Sequence, residues 1–185
     1  MKFTVLCAML LGLVLQSNAQ KYLTRTGHIH FYSHSALEDI KADNNQVASV
    51  IDLSTGDMVF QVLIKSFKFE KALMEEHFNE NYMESDKYPR STFKGKITNP
   101  SPSQLSKQGK YDVTVEGELD LHNVKKNIIV KGTLETGPAT VVANAVFNVS
   151  PADYNIEIPA VVRDNIAKSI EVTVNMNYAP AETNK

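Results

Sequence analysis

Cysteine is nearly absent from this 185-residue chain: Cys7 is the only one, and tryptophan is missing altogether. A lone thiol makes no intrachain disulfide, and it cannot supply the thiolate set of a zinc ribbon or finger. Charge of one sign is also scarce. The 19 Lys and Arg nearly cancel the 21 Asp and Glu, and no run of like charge occurs. A dedicated nucleic-acid binder carries a basic patch or stripe, so no nucleic-acid partner is expected. Eight glycines and seven prolines are too few for a fibrous or low-complexity chain. No apolar run reaches the roughly 20 residues of a membrane-spanning helix, so no transmembrane segment is expected either. The length fits one domain with a core of useful size.

The first residues read as an address. Lys2 precedes an apolar run from Phe3 to Leu15, followed by Gln16, Ser17, Asn18 and Ala19. A basic start, a short apolar stretch and small residues at the end make a secretory signal peptide. Cleavage falls between Ala19 and Gln20, dividing the chain into a leader (1–19) and an exported domain (20–185). The product is expected in the periplasm or secreted. Cys7 leaves with the leader, so thiolate chemistry is excluded from the mature chain. Loss of Lys2 leaves a net charge of −3.

What is abundant is alternation. From Tyr111 to His122, Tyr111, Val113, Val115, Leu119 and Leu121 share one face, while Asp112, Thr114, Glu116, Glu118, Asp120 and His122 share the other. Period two over twelve residues is a strand with one wet face. The pattern returns at Ile170, Val172, Val174, Met176 and Tyr178, at Val141–Val149, and around Met58, Phe60, Val62 and Ile64. Residues 128–135 form a further β-rich run, and shorter strands are expected at 27–33, 47–52 and 91–98. Turn residues separate them at 54–56, 99–102 and 136–138. Residues 69–82 differ: Phe69, Leu73, Met74, His77, Phe78 and Tyr82 recur at spacings of three and four, which predicts an amphipathic helix ending before Pro89. A short helix or loop is expected over 153–167.

Eight antiparallel strands with one dry face suggest an all-β barrel or sandwich, and closure removes exposed edges. An eight-stranded barrel is either filled by side chains or holds one small ligand. Gly95, Gly117, Gly132, Ala143 and Ala145 fall at or near inward positions. They either leave room for a ligand or only bend the strands.

Two segments narrow the family. His77 to Lys94 reads H-F-N-E-N-Y-M-E-S-D-K-Y-P-R-S-T-F-K, and Gly117 to Ile128 reads G-E-L-D-L-H-N-V-K-K-N-I. With the ending Tyr154-x-Ile156-x-Ile158-Pro159, then Ile170-x-Val172-x-Val174, they resemble the YceI-like family of exported proteins. The resemblance spans essentially the whole mature chain. Asn123 stands where the family usually has glycine, and asparagine tolerates the left-handed turn implied there. The resemblance implies a lipocalin-like, eight-stranded antiparallel β-barrel with a short helix between strands. It also implies uptake of a long polyisoprenoid or similar apolar lipid, without catalysis. The tryptophan of ordinary lipocalins is absent, so the likeness to them is architectural.

On this reading the ligand would lie against Phe60, Val62, Phe78, Phe93, Leu119 and Phe147, with His77, Asn79 and Tyr82 as polar groups at the mouth. No cofactor is expected beyond a bound isoprenoid lipid, no catalytic residue and no metal; a homodimer is left open. Two alternatives stand beside it. One is a secreted metal-binding or hydrolytic enzyme using His28, His30 and His77. It lacks the H-E-x-x-H and G-x-S-x-G motifs, and the histidine pair lacks a clear third ligand. The other is a filled barrel with a protein-binding surface. Processing has a direct check: the intact mass of the exported protein should correspond to a chain beginning at Gln20, without Cys7 or attached lipid. A mass that retains Cys7 overturns the leader assignment.

Overall fold

The structure is a computed structural model describing residues 21–181; the leader and its cleavage point lie outside the described residues. Nine strands form: β1 (Lys21–His34), β2 (Asp39–Asp52), β3 (Asp57–Leu63), β4 (Lys68–Phe69), β5 (Arg90–Asn99), β6 (Gly109–Leu121), β7 (Val124–Thr136), β8 (Val141–Val149) and β9 (Ile170–Pro180). Eight pair antiparallel with their chain neighbours, and β1 pairs with both β2 and β9, so the sheet closes into a barrel. The two-residue β4 only extends β2 on one side, at Ala42 and Asp43.

The alternation sets which side chains enter. Val113, Val115, Leu119 and Leu121 of β6 point inward as expected, and the register across β6 and β7 runs unbroken from Gly109↔Thr136 to Leu121↔Val124. The β6–β7 turn uses two consecutive left-handed residues, His122 at φ +53° and Asn123 at φ +61°. This is the primed two-residue hairpin that matches strand twist, so Asn123 does serve where glycine is usual.

β1 and β2 are each about twice the expected length. The stretches beyond the expected bounds, 21–26 of β1 and 39–46 of β2, carry Lys21, Thr24, Arg25 and Thr26, and Asp43, Asn44, Asn45 and Gln46, and polar residues there blur the alternation. The register also shifts on either side of Gly27. A Cβ at Gly27 would lie 2.1 Å from Met176 Sδ, so glycine lets the fully buried Met176 pack against the bulged strand. Asn44 is fully buried on β2. It is satisfied by donating to Leu63 O at 2.9 Å and accepting from Gln46 N–H.

The helical expectation for 69–82 is corrected in its extent. Phe69 ends β4, α1 covers only Ala72–His77, and a π-turn follows over Phe78–Tyr82. Extended Phe69 and a helix can share threefold and fourfold spacing in sequence, so the pattern overran the helix. The stretch from 153 to 167 forms two 3₁₀ turns, Pro151–Tyr154 and Ala160–Asn165.

The two barrel ends differ. At one end the short helix α2 (Pro102–Leu105), capped reciprocally by Ser101 and Gln104, drives Leu105 into the core. Ile51, Ile97, Leu134, Val141 and Met176 pack there with Tyr178. The other end gathers the β1–β2 turn, residues 64–89, the β6–β7 turn and residues 150–169. A smaller core of Ile64, Met83, Tyr154 and Ile156 holds those pieces together.

Tyr178 shows how dry the sealed end is. Its hydroxyl is 2.9 Å from Ser49 Oγ, which also donates to Val59 O. Burial pushes the phenol up to about 12, against a small opposing effect of Ser49. In the unfolded chain it titrates near 10. The raised value is a stability contribution fully present below pH 10 and lost as pH rises through 12. About 2–3 kcal/mol should therefore vanish across that window. Tyr178→Phe should cost about 1 kcal/mol at neutral pH yet flatten the alkaline loss. Chemical denaturation of both proteins from pH 8 to pH 12 checks this: parallel curves would contradict it.

Candidate ligand-binding cavity

Closing eight strands around inward apolar side chains does not fill this barrel. A cavity of about 380 Å³ remains, within the size range of small-ligand sites, and it runs toward the end opposite α2. Phe60, Val62, Phe78, Phe93, Leu119 and Phe147 all border it. They come from β3, β5, β6, β8 and the π-turn, so alternation on separate strands brings together residues far apart in sequence. Ala143 and Ala145 border it as well, and their small side chains leave space.

The inward glycines act otherwise. Gly95 and Gly117 pair across β5 and β6, and the Phe93 ring lies over both: added Cβ atoms would stand 2.5 and 2.7 Å from it. Gly117 also faces Lys94 O, and Gly132 faces Asn144 O, each at 2.4 Å from an added Cβ. Gly95 and Gly117 serve close approach of backbone and ring rather than an empty volume, while Gly132 admits the Asn144 carbonyl and also borders the cavity.

At the mouth, four phenylalanines lock the π-turn to the barrel. Phe78 lies 5.5 Å from Phe31, 5.6 Å from Phe67 and 5.1 Å from Phe69, between ring centroids. Such contacts contribute about 0.5–1.5 kcal/mol each beyond area burial. Polar groups border the cavity only at a few points, among them Glu38, His77, Tyr82 and Asn165. Asn165 donates to Glu38 Oε2 at 3.2 Å, and Lys71 donates to Glu38 Oε1 at 3.4 Å. One carboxylate thereby joins the β1–β2 turn, the start of α1 and the 160–165 turn. Burial raises the Tyr82 phenol above its ordinary value, leaving a neutral hydroxyl.

Of the expected mouth groups, His77 is exposed at the rim and Tyr82 borders the cavity. Asn79 does not reach it: its amide donates to Glu75 O at 2.8 Å. Its carbonyl oxygen is buried without a hydrogen-bond donor among the described residues. Sequence reasoning missed Glu38, Phe67 and Asn165. Phe67-x-Phe69 is an alternating pair that pointed to an extended segment; nothing local marked Glu38 or Asn165.

A second brace crosses the same end. His122 belongs by alternation to the wet face of β6, but its left-handed backbone turns it inward and its side chain is 8% exposed. Nδ1 meets Tyr154 O and Nε2 meets Glu84 Oε2, both at 3.1 Å. The Tyr88 ring lies edge-on at 4.4 Å. Glu84 and Asn155 also take left-handed backbone, at φ +42° and +54°. Such residues persist where neighbours over-determine them.

His28 and His30 lie outside the wall, their neighbours Ile29 and Phe31 inside. His28 Nε2 is 2.7 Å and His30 Nδ1 3.1 Å from the same Asp43 oxygen. Burial alone would raise Asp43, but the two histidine hydrogen bonds outweigh it and hold the carboxyl below the ordinary range. His34 instead pairs with Asp39 at 2.6 Å. Among the described residues no group of three such side chains has metal-holding geometry.

A closed up-and-down barrel, packed at one end and holding an apolar cavity open toward the other, has the architecture of a lipocalin-like barrel. The sequence matches the YceI-like domain over residues 21–178, and the chain belongs to that family. Solved structures share the fold. A polyisoprenoid binding domain from Saccharophagus degradans, implicated in plant cell wall breakdown, superposes with a TM-score of 0.76 at 15% identity, covering 88% of this chain and 99% of that one. Burkholderia cenocepacia BcnA gives 0.61 at 15% identity, covering 83% and 96%. The Campylobacter jejuni YceI protein gives 0.52 at 13% identity, covering 99% and 100%. Among curated proteins none matches this sequence.

The tight glycine contacts yield a test of the wall. Gly117→Ala would force a methyl against Lys94 O and the Phe93 ring, at a cost of about 1–3 kcal/mol. Thermal unfolding should show a clearly lower Tm. An unchanged Tm would show that Gly117 is dispensable.

Proposed function

We propose that this protein is an exported carrier that holds one long apolar lipid, of isoprenoid or quinone type, inside its barrel. The observation that carries this reading is the cavity of about 380 Å³ between Phe60, Phe93, Leu119 and Phe147, whose lining is overwhelmingly apolar. A chain of methyl-branched hydrocarbon gains about 0.8 kcal/mol for each CH₂ equivalent taken from water. Two or three five-carbon units thus offset much of the entropy lost on binding. A head group that accepts or donates hydrogen bonds would meet Tyr82, Asn165 and Glu38 at the opening. The polyisoprenoid binding described for the Saccharophagus degradans domain supports the same ligand class.

Binding by burial requires no reacting group, so we read the protein as a carrier and not an enzyme. The cavity favours this reading over a filled barrel that works through its outer surface. Export rests on the leader read at residues 1–19.

Lipid extracted from protein purified from its native source should give a mass series spaced by five-carbon isoprene units, about one lipid per chain. Leu119→Lys would bury an ammonium group without a partner in the cavity wall, which is costly. That variant should lose the lipid together with some stability. Phe147→Leu, which keeps the wall apolar, should retain it. Wild-type protein that carries no lipid and takes none up from added isoprenoid would overturn the proposal.

A further inference from the structure

The cavity opens among three short segments, and each presents one large aliphatic side chain to solvent. Leu37 in the β1–β2 turn is 68% exposed, Leu73 in α1 is 59% exposed, and Val161 in the 160–165 turn is 91% exposed. In every case the next residue in the chain faces the other way: Glu38, Met74 and Val162 border the cavity. The three segments are also tied together. Glu38 accepts hydrogen bonds from Lys71, two residues before Leu73, and from Asn165, four residues after Val161. The exposed aliphatic groups therefore crown the rim of the same opening that leads to the apolar interior.

We propose that this rim docks on the surface of a lipid bilayer, with Leu37, Leu73 and Val161 inserted among the headgroups, so that an apolar ligand passes between membrane and barrel without crossing bulk water. The inference rests on the carrier reading for its purpose, but its geometry is separate from the cavity wall. Single surface hydrophobics need no explanation; three that surround one dry opening do. A stable protein partner needs about 1,200–2,000 Å² of contact with a continuous centre, whereas the rim offers separate aliphatic tips around a hole. Tips of that kind fit the boundary between headgroups and acyl chains.

Charge selects the kind of surface. Residues 35–38, 68–77 and 157–168 carry four basic and six acidic side chains. A slightly acidic rim gains nothing from anionic headgroups, so burial drives the contact and a zwitterionic surface suffices. No described helix is long and apolar enough to cross the membrane, which leaves contact at the surface.

Flotation of the mature protein with phosphatidylcholine vesicles tests this. Wild-type protein should float with the vesicles, equally at low and high salt. The triple variant L37S/L73S/V161S should bind them about tenfold more weakly or worse, the equivalent of at least about 1.4 kcal/mol. Uptake of a fluorescent isoprenoid delivered from dilute ethanol should be the same in both proteins, because the three residues do not border the cavity. That measurement also reports that the variant is folded. Flotation of the triple variant at wild-type level would overturn the proposal. So would wild-type protein that takes up the probe but does not float, or that floats only with anionic vesicles and detaches in salt. Wild-type protein that floats yet takes up no probe would leave the docking surface in place and remove the carrier reading instead.

Discussion

Everything in this molecule depends on the closure of the sheet through β1. That strand pairs with β2 on one side and β9 on the other, so no long strand is left with a free edge. An open sheet with these apolar strands would offer a template for pairing with other chains. Closure removes that hazard and forces every second side chain into one shared interior. The register shifts on either side of Gly27 fall on this same strand, where the absent Cβ admits Met176. The binding cavity is thus a consequence of the same hydrogen-bond ladder that stabilises the fold.

The interior is then divided along the barrel axis. Near α2 the side chains interdigitate: Leu105, Val141 and Met176 are completely buried, and burial displaces the Tyr178 phenol far from its ordinary range. Beyond that packed end, the small side chains of Ala143 and Ala145 leave a gap. A gap forfeits dispersion contacts that packed side chains would gain. The sealed half therefore supplies the stability that the open half gives up. The mouth is stiffened by directional bonds instead of packing: His122 between Glu84 and the Tyr154 carbonyl, Glu38 between Lys71 and Asn165, and the Phe78 cluster.

Legibility in the sequence follows the same division. The walls were readable because the β6 pattern from Tyr111 to Leu121 is a local property, and Val113, Val115, Leu119 and Leu121 do face the interior. Phe60, Val62, Phe93, Leu119 and Phe147 border the cavity for the same reason, while Phe78 reaches it from the π-turn. The outer half of β2 was not readable, since Asn44 is buried by a tertiary partner, Leu63 O, which its neighbours in sequence do not reveal. The mouth was least readable of all. Asn79 was expected there as a polar group of a helix lying over the mouth, yet the helix is short and followed by a π-turn, and the amide donates back to Glu75 O. Glu38, by contrast, gains its place only when two segments more than thirty residues away meet it.

The outer surface shows why the histidines of β1 belong to the wall and not to the site. His28 and His30 stand two apart, so the pleat sends both outward while Ile29 and Phe31 go in. Outside, their nitrogens converge on Asp43 of the neighbouring strand. A cross-strand polar contact of this kind adds to pairing of β1 with β2, the junction on which closure depends. The polar face thus supports the ladder, and the apolar face is left free to line the cavity. Moving either histidine by one position would reverse both roles at once: an imidazole would enter the dry interior and the Asp43 carboxylate would lose a donor. The two-residue period therefore ties the strength of the barrel seam to the dryness of its interior, and a single register serves both.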